Sequence, residues 1–259
     1  MVYRSPLSLL MANESLCTFR HCFFEQGDSL DTLTDKMKLR ATAALFLITL
    51  FIPMAEATPP YTRTAFGMAE NARSEAAKKR VAPRLGKLFG SPVYLRAFKE
   101  EAELELWVQQ DGTWQLHHTY PILGQSGELG PKTAEGDEQV PEGFYAVTPR
   151  GMNPCSSYHL SFNIGYPNAY DTAQGRTGSL IMIHGKDCSI GCLAMGDPAI
   201  EEIYTLVAEA LRAAPERPVP VHIFPFRMTE ERLNEETDSP HIEFWRYLQR
   251  EAPQRDVRR

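Results

Sequence analysis

The sequence predicts an α+β fold: a β-rich domain with one helix before it and further helices packed on it at the C-terminal end. Three observations carry this expectation. Apolar residues recur at every second position in Val93, Leu95 and then Leu104, Leu106, Val108, the period of a strand. Asp111-Gly112 separates two such runs and signals a tight hairpin. Ile200, Ile203, Val207, Ala210 and Leu211 recur at helical spacing and form an apolar stripe fit to cover a sheet.

Taken in order, Thr64 to Leu88 is rich in Ala, Glu, Lys and Arg, with Met68, Ala72, Ala76, Val81 and Leu85 on one side. It reads as a helix, interrupted at Ala82-Pro83. Gly90-Ser91-Pro92 marks a boundary. Strands are expected over Val93–Phe98, Leu104–Val108 and Trp114–Tyr120. Turn-rich sequence follows from Leu123 to Lys132, then strands over Val140–Val147 and Tyr158–Ile164. Leu180–Ile183 is a short apolar run of the kind that forms a buried strand. Asp197 is placed to cap the next helix, with Pro198 at its first position. Val219–Phe226 reads as a closing strand. Thr229–Glu236 and Ile242–Leu248 read as C-terminal helices, the second burying Phe244, Trp245 and Leu248.

The chain has 259 residues, 43% hydrophobic and 23% charged, with a formal net charge of -6. That is the composition of an ordinary globular domain with appendages. The acidic balance sets aside a nucleic-acid binder, whose footprint is a basic patch. At the N-terminus, Met37-Lys38-Leu39-Arg40 precedes an uncharged apolar stretch, Ala41–Met54, and then Ala55-Glu56-Ala57. These are the three parts of a secretory signal, with an apolar core short for a membrane span. The expected organisation is an upstream extension over 1–36, a signal peptide over 37–57, and a linker and helix over 58–90. A catalytic domain over 91–228 and C-terminal helices with a tail over 229–259 complete it. The competing reading of the first segment is an uncleaved membrane anchor.

The chemistry concentrates in Ser179–Met195. A strand delivers His184 to a glycine-containing turn, and Gly191-Cys192 follows eight residues later. A free thiol titrates near pH ~8.5, and a neighbouring imidazolium lowers that value. His184 would take the Cys192 proton and return it to a leaving amine. Backbone amides around Gly191 and Cys192 would face the oxyanion. Two bland readings stand beside this one. Cys192 is a structural cysteine near a core histidine, or His184, Cys188 and Cys192 ligate zinc with His159 or Cys155 as a fourth ligand. If the signal is removed, Cys155, Cys188 and Cys192 remain, either with a Cys155–Cys188 disulfide or as three thiols. Arg176 is a candidate clamp for a substrate carboxylate, against a solvated loop arginine. Tyr166, Asn168 and Tyr170 are candidates to shape the cleft, against simple packing. His159 lies on an expected strand and is a candidate to face the site, against a satisfied core histidine.

Several ordered motifs extend this. They are Leu95-Arg96-Ala97-Phe98-Lys99-Glu100-Glu101, Leu104-Glu105-Leu106-Trp107-Val108, Gly130-Pro131-Lys132 with Gly136-Asp137, and Pro141-Glu142-Gly143. Leu160-Ser161-Phe162, Tyr166-Pro167-Asn168-Ala169-Tyr170-Asp171 and His184-Gly185 through Ser189-Ile190-Gly191-Cys192 follow. With them the chain resembles the L,D-transpeptidase (YkuD-type) catalytic domain family, in its YafK-like murein branch, over about Ser91 to Met228. The resemblance implies a β-rich fold and acyl transfer at the diaminopimelate residue of peptidoglycan stem peptides. By motif, Cys192 falls at the nucleophile position and His184 at the base position, with Ser189 and Gly191 in the turn that forms the oxyanion environment. Two departures stand out. Ile190 replaces the second histidine of the common pattern, and the gap from His184 to Cys192 is shorter. Both features are similar to the YafK-like branch, which includes an enzyme that removes covalently attached lipoprotein from peptidoglycan.

The sequence therefore predicts an exported, periplasmic cysteine acyltransferase. The alternatives are a hydrolase that releases lipoprotein or peptide and, from another class, a noncatalytic peptidoglycan-binding module. No cofactor and no metal are called for, since thiolate and imidazole suffice. The expected partners are stem peptides and, on the hydrolase reading, a wall-attached lipoprotein. No nucleic acid is expected, and membrane contact is expected only through an uncleaved signal segment.

Overall fold

Strand β3 is buried along its whole length, and the molecule is layered on its two faces. In the computed structural model, which describes residues 61–252, a short hairpin comes first, β1 (Thr62–Arg63) with β2 (Ala69–Glu70). Helix α1 (Ala72–Leu85) follows, then β3 (Val93–Phe98), β4 (Glu103–Gln110) and β5 (Thr113–Pro121). Next come β6 (Gly143–Val147), β7 (Met152–Asn153), β8 (Ser161–Asn163) and α2 (Ala169–Ala173). The chain continues through β9 (Met182–His184), β10 (Leu193–Ala194) and α3 (Asp197–Ala213). It ends with β11 (Val219–Phe224), α4 (Glu230–Glu235) and α5 (Ile242–Glu251). The extension and signal segment expected over 1–57 lie outside the described residues. Among the described residues, no helix is long and apolar enough to cross a membrane.

One sheet has the order β5-β4-β3-β11-β6, antiparallel except for the β3–β11 pair. A second sheet has the order β10-β9-β8-β7. Side chains alternate across β3. Val93, Leu95 and Ala97 enter the main core with Ile200, Ile203, Val207 and Leu211 of α3. On the other face, Phe98 joins Phe224, Phe226, Trp245 and Leu248, the core beneath α4 and α5. The stripe expected of α3 is therefore its buried face. Arg96 also lies on this second face, with its guanidinium on the Glu105 carboxylate of the facing strand at 2.6 Å. Trp107 donates to the same oxygen at 2.8 Å, so the buried charges are met by hydrogen bonds.

Where expectation and structure differ, local chemistry explains the difference. Residues 64–71 do not join α1. They turn back as the β1–β2 hairpin, and Asn71 starts the helix by accepting from the amides of Arg73 and Ser74, an N-cap interaction. Pro83 does not interrupt α1. It sits in the last turn, so the one bond it removes and any bend it causes fall at the end of the helix. Helix α3 begins one residue earlier than expected, with Gly196 at the cap position. The Asp197 carboxylate instead accepts from the Lys186 amide and ammonium, at 3.0 and 2.7 Å. Phe244 is only partly buried, unlike Trp245 and Leu248. The Cys155–Cys188 disulfide is not formed: Cys155 is a thiol, and its sulfur accepts from the Asn71 side chain at the start of α1 at 3.4 Å.

The long segment between β5 and β6 is anchored by a buried charge. Glu142 is fully buried. One carboxylate oxygen accepts from Lys99 Nζ at 3.0 Å and from the Gly130 amide at 2.7 Å. The other accepts from Trp245 Nε1 at 2.8 Å. Lys99 also donates to the carbonyls of Gly130 and Val140. Residues from Pro141-Glu142-Gly143, Gly130-Pro131-Lys132 and the end of β3 thus meet at one point, tied to α5.

Candidate active site

Strand β9 is an inner strand of the second sheet, and its register sets the site. It pairs antiparallel with β8, Ser161 opposite His184 and Phe162 opposite Ile183. On its other side it runs parallel to β10, with Ile183 beside Leu193 and His184 beside Ala194. Ile183, Phe162 and Leu193 are completely buried and fix the inward face of these strands. Cys192 immediately precedes β10, so by the same register it lies level with Met182. Two residues along a strand span about 7 Å. Cys192 and His184 therefore share one face of the β9–β10 pair, a diagonal step apart.

The contacts of each group suit acid–base work on a thiol. His184 is buried, 4% exposed, and its Nδ1 lies 2.6 Å from the Gly185 carbonyl. A carbonyl only accepts, so this nitrogen carries the hydrogen and Nε2 is the acceptor. Burial pulls the imidazole pKa below its ordinary value of 6.5, against an opposing pull from the Gly185 bond. The ring is consequently a neutral base at pH 7. Tyr158 packs against it, ring centroids 4.7 Å apart. Cys192 is half-buried. Its sulfur accepts from the Met182 amide at 3.3 Å, and its S–H faces the Leu180 carbonyl at 3.8 Å.

Both amides expected to face the oxyanion are engaged by hydroxyls. The Cys192 N–H donates to Ser189 Oγ at 3.1 Å, and the Gly191 N–H donates to Ser126 Oγ at 2.7 Å. Ser126 in turn donates to the Glu138 carbonyl at 2.6 Å. An arriving carbonyl oxygen must displace a hydroxyl to reach either amide. Ser126 was not visible as a site residue, because it comes from the β5–β6 segment, 65 positions away. That segment is laid along β10 by the bonds between Gly124 and Ala194. A side chain at Gly124 would run into the Asp187 carbonyl, so only glycine allows the approach. Ser161 is a second residue that sequence reasoning passed over. Its hydroxyl is buried on the His184 face, with no hydrogen-bond partner among the described residues.

The other sequence candidates divide. Tyr166 lines a cleft of about 540 Å3 whose wall includes Leu180 and Met182, the two residues whose backbones touch the sulfur. Its hydroxyl donates toward the Lys132 and Thr177 carbonyls. Asn168, Tyr170 and Arg176 do not line that cleft. Asn168 caps α2. Arg176 forms an ion pair with the buried Asp171 at 2.7 Å and covers the rings of Tyr170 and Phe244. Tyr170 stacks on Phe244 and Tyr247, so this trio joins α2 to α5. The His184, Cys188, Cys192 trio weighed for zinc forms no metal-binding cluster, and none exists among the described residues. His159 pairs with Glu201 at 2.8 Å, a satisfied histidine.

Residues 95–223 match the family model described as the L,D-transpeptidase catalytic domain, YkuD. YafK of Escherichia coli (strain K12), which carries the name of an L,D-transpeptidase, is 45% identical over 161 residues, 62% of this chain. The match spans 65% of that protein's length, just under two thirds. Among solved structures, the helical cell shape determining protein Pgp2 from Campylobacter jejuni is similar at 25% identity, with a TM-score of 0.41. That likeness covers 57% of this chain and 55% of Pgp2. Bd1075 of Bdellovibrio bacteriovorus is similar at 22% identity and a TM-score of 0.36, over 54% of this chain and 49% of its own. Through residues 95–223, the chain belongs to the L,D-transpeptidase (YkuD) catalytic domain family.

Proposed function

We propose that the chain is an exported, periplasmic cysteine acyltransferase acting at the diaminopimelate residue of peptidoglycan stem peptides, with Cys192 as nucleophile and His184 as general base. The observation that carries this reading is the β9–β10 register, which sets a half-buried thiol diagonally from a neutral imidazole on one strand-pair face.

The cycle follows from those two groups. The Cys192 proton passes to His184 Nε2 as sulfur bonds to the diaminopimelate carbonyl carbon, and the carbonyl π electrons move onto oxygen. The tetrahedral intermediate collapses, the C–N bond breaks, and His184 returns the proton to the leaving amine. A thioester on Cys192 remains. An acceptor amine that loses its proton to His184 resolves it to a new peptide bond. Water resolves it to a free acid; where the leaving amine belongs to a wall-attached lipoprotein, that protein has already departed with the broken C–N bond, and hydrolysis completes its release. In either case sulfur leaves and the resting thiol is restored. Gly191 and Ser189 belong to the oxyanion environment, where the intermediate's oxygen takes over amide bonds now made to hydroxyls.

The test is mass spectrometry of purified sacculi incubated with the wild-type chain and with Cys192→Ala. New cross-links report transfer. Released peptide or protein without them reports hydrolysis. Either product must vanish in Cys192→Ala. Binding of muropeptides by the wild-type chain without any product would overturn the enzyme reading in favour of a binding module.

A further inference from the structure

The cleft beside the thiol carries a charge pattern that the reaction above does not use. Among the described residues its walls include Arg63 and Arg150, and no aspartate or glutamate, in a chain of net charge -6. Elsewhere arginines sit on carboxylates: Arg80, Arg84, Arg176, Arg212, Arg227 and Arg232 all do. Arg63 instead donates to the Gly67 carbonyl at 2.7 Å and to the Tyr61 hydroxyl at 3.3 Å. Arg150, on the stretch between β6 and β7, is exposed and meets no carboxylate among the described residues.

The two cations are brought to one place by Gly67. Its carbonyl takes the Arg63 guanidinium. Its missing side chain makes room for Arg150, whose Cγ and Nε lie 3.4 and 3.6 Å from where a Cβ would stand. Gly67 has φ +86°, a conformation that side chains disfavour. The hairpin β1–β2 thus gathers like charges at the rim of a cleft with no counterion among the described residues, which repulsion disfavours unless an anion joins them. Two guanidinium forks match a carboxylate in geometry as well as charge. The same cleft reaches Leu180 and Met182, against which the Cys192 sulfur rests.

We propose that this cleft is a carboxylate-binding subsite, in which Arg63 and Arg150 hold a free carboxylate of the acyl-donor peptide while its reacting carbonyl lies at Cys192. The identity of that donor rests on the function proposed above. The arginines are positioning residues: they touch the substrate away from the reacting atoms and set its register on the thiol.

The experiment uses the full chain carrying Cys192→Ala, so that binding is read without turnover. Calorimetric titration employs a diaminopimelate-containing stem peptide, the same peptide with its carboxylates converted to carboxamides, and glutarate. Arg63→Ala and Arg150→Ala are each expected to raise Kd for the acid peptide about tenfold or more. The carboxamide should bind the parent as weakly as the acid binds the variants, and should lose little further in them. Lysine at either position should recover part of the affinity. Both arginines are exposed, so unchanged thermal melts will show that the fold is intact. Unaltered affinity in both alanine variants, or equal binding of acid and carboxamide by the parent, overturns the proposal. Arginine-dependent binding of glutarate without binding of any stem peptide would keep the anion site and sink the peptidoglycan reading instead.

Discussion

Glu142→Gln is the substitution on which the architecture around the site is most exposed. The carboxylate is fully buried and accepts three hydrogen bonds, from Lys99, Gly130 and Trp245. Burial drives the Lys99 pKa down, and Glu142 is the largest influence pulling it back up. With glutamine, the side-chain oxygen can still accept from Lys99 and Gly130. The amide NH2 is then turned toward Trp245 Nε1–H, donor against donor, while a flip moves the same conflict to Lys99. Either way an ammonium only 4% exposed loses its counter-charge. Removing one partner of a buried pair costs about 3–5 kcal/mol. With a urea m-value of about 2 kcal/mol/M, the midpoint falls by about 1.5–2.5 M. Lys99→Met alone should cost a similar amount, since it strands the carboxylate. The double variant should cost clearly less than the sum, because neither charge is then left unpaired. Equilibrium urea unfolding at pH 7 followed by tryptophan fluorescence reads all four proteins. A loss below about 1 kcal/mol for Glu142→Gln, or strict additivity in the double variant, would refute the argument that this charge pins the β5–β6 segment.

The remaining predictions concern the site itself. Because His184 works as a neutral base with its pKa held below its ordinary value, the acid limb of kcat/KM should inflect below pH 6.5. An acid limb inflecting above 6.5 in the pH–rate profile would contradict the burial argument. Ser126→Ala strands the Gly191 amide and is expected to lower stability by about 1 kcal/mol in thermal melts, with little effect on kcat/KM. A loss of about 10²-fold would place the hydroxyl itself on the oxyanion. Ser161→Ala removes a buried hydroxyl without a partner among the described residues, so it should raise stability by about 1 kcal/mol. Destabilisation by the same amount would mean that an ordered water satisfies the group.

What was legible in the sequence is what periodicity and covalent neighbours control. The alternation of Leu104, Leu106 and Val108 gave β4, the Asp111-Gly112 pair gave the β4–β5 turn, and the α3 stripe gave a helix buried on the residues named. His184 and Cys192 were readable because the strand and turn that carry them are contiguous. The N-terminal hairpin was misread as helix. Alanine-rich composition favours helix over residues 64–71, but Gly67 and the Asn71 cap decide otherwise, and a cap overrides propensity where the chain must turn.

Residues whose partners are distant in the chain were the ones misjudged. Arg176 has the chemistry of a carboxylate clamp, but Asp171, five positions earlier, already occupies its guanidinium. Arg63 and Arg150 carry no motif at all, and only the fold sets them side by side across Gly67. Ser126 is equally silent, since its contact with Gly191 exists only in the fold, where the bonds between Gly124 and Ala194 lay its segment along β10. Sequence motifs thus report the reacting atoms, whose identity is fixed by chemistry. The groups that orient a substrate need only charge and place, and place belongs to the folded chain. Exchanging Cys192 should therefore end the reaction outright, whereas exchanging Arg63 or Arg150 should raise KM more than it lowers kcat. The opposite split would mean that the arginines act on the transition state rather than on the bound peptide.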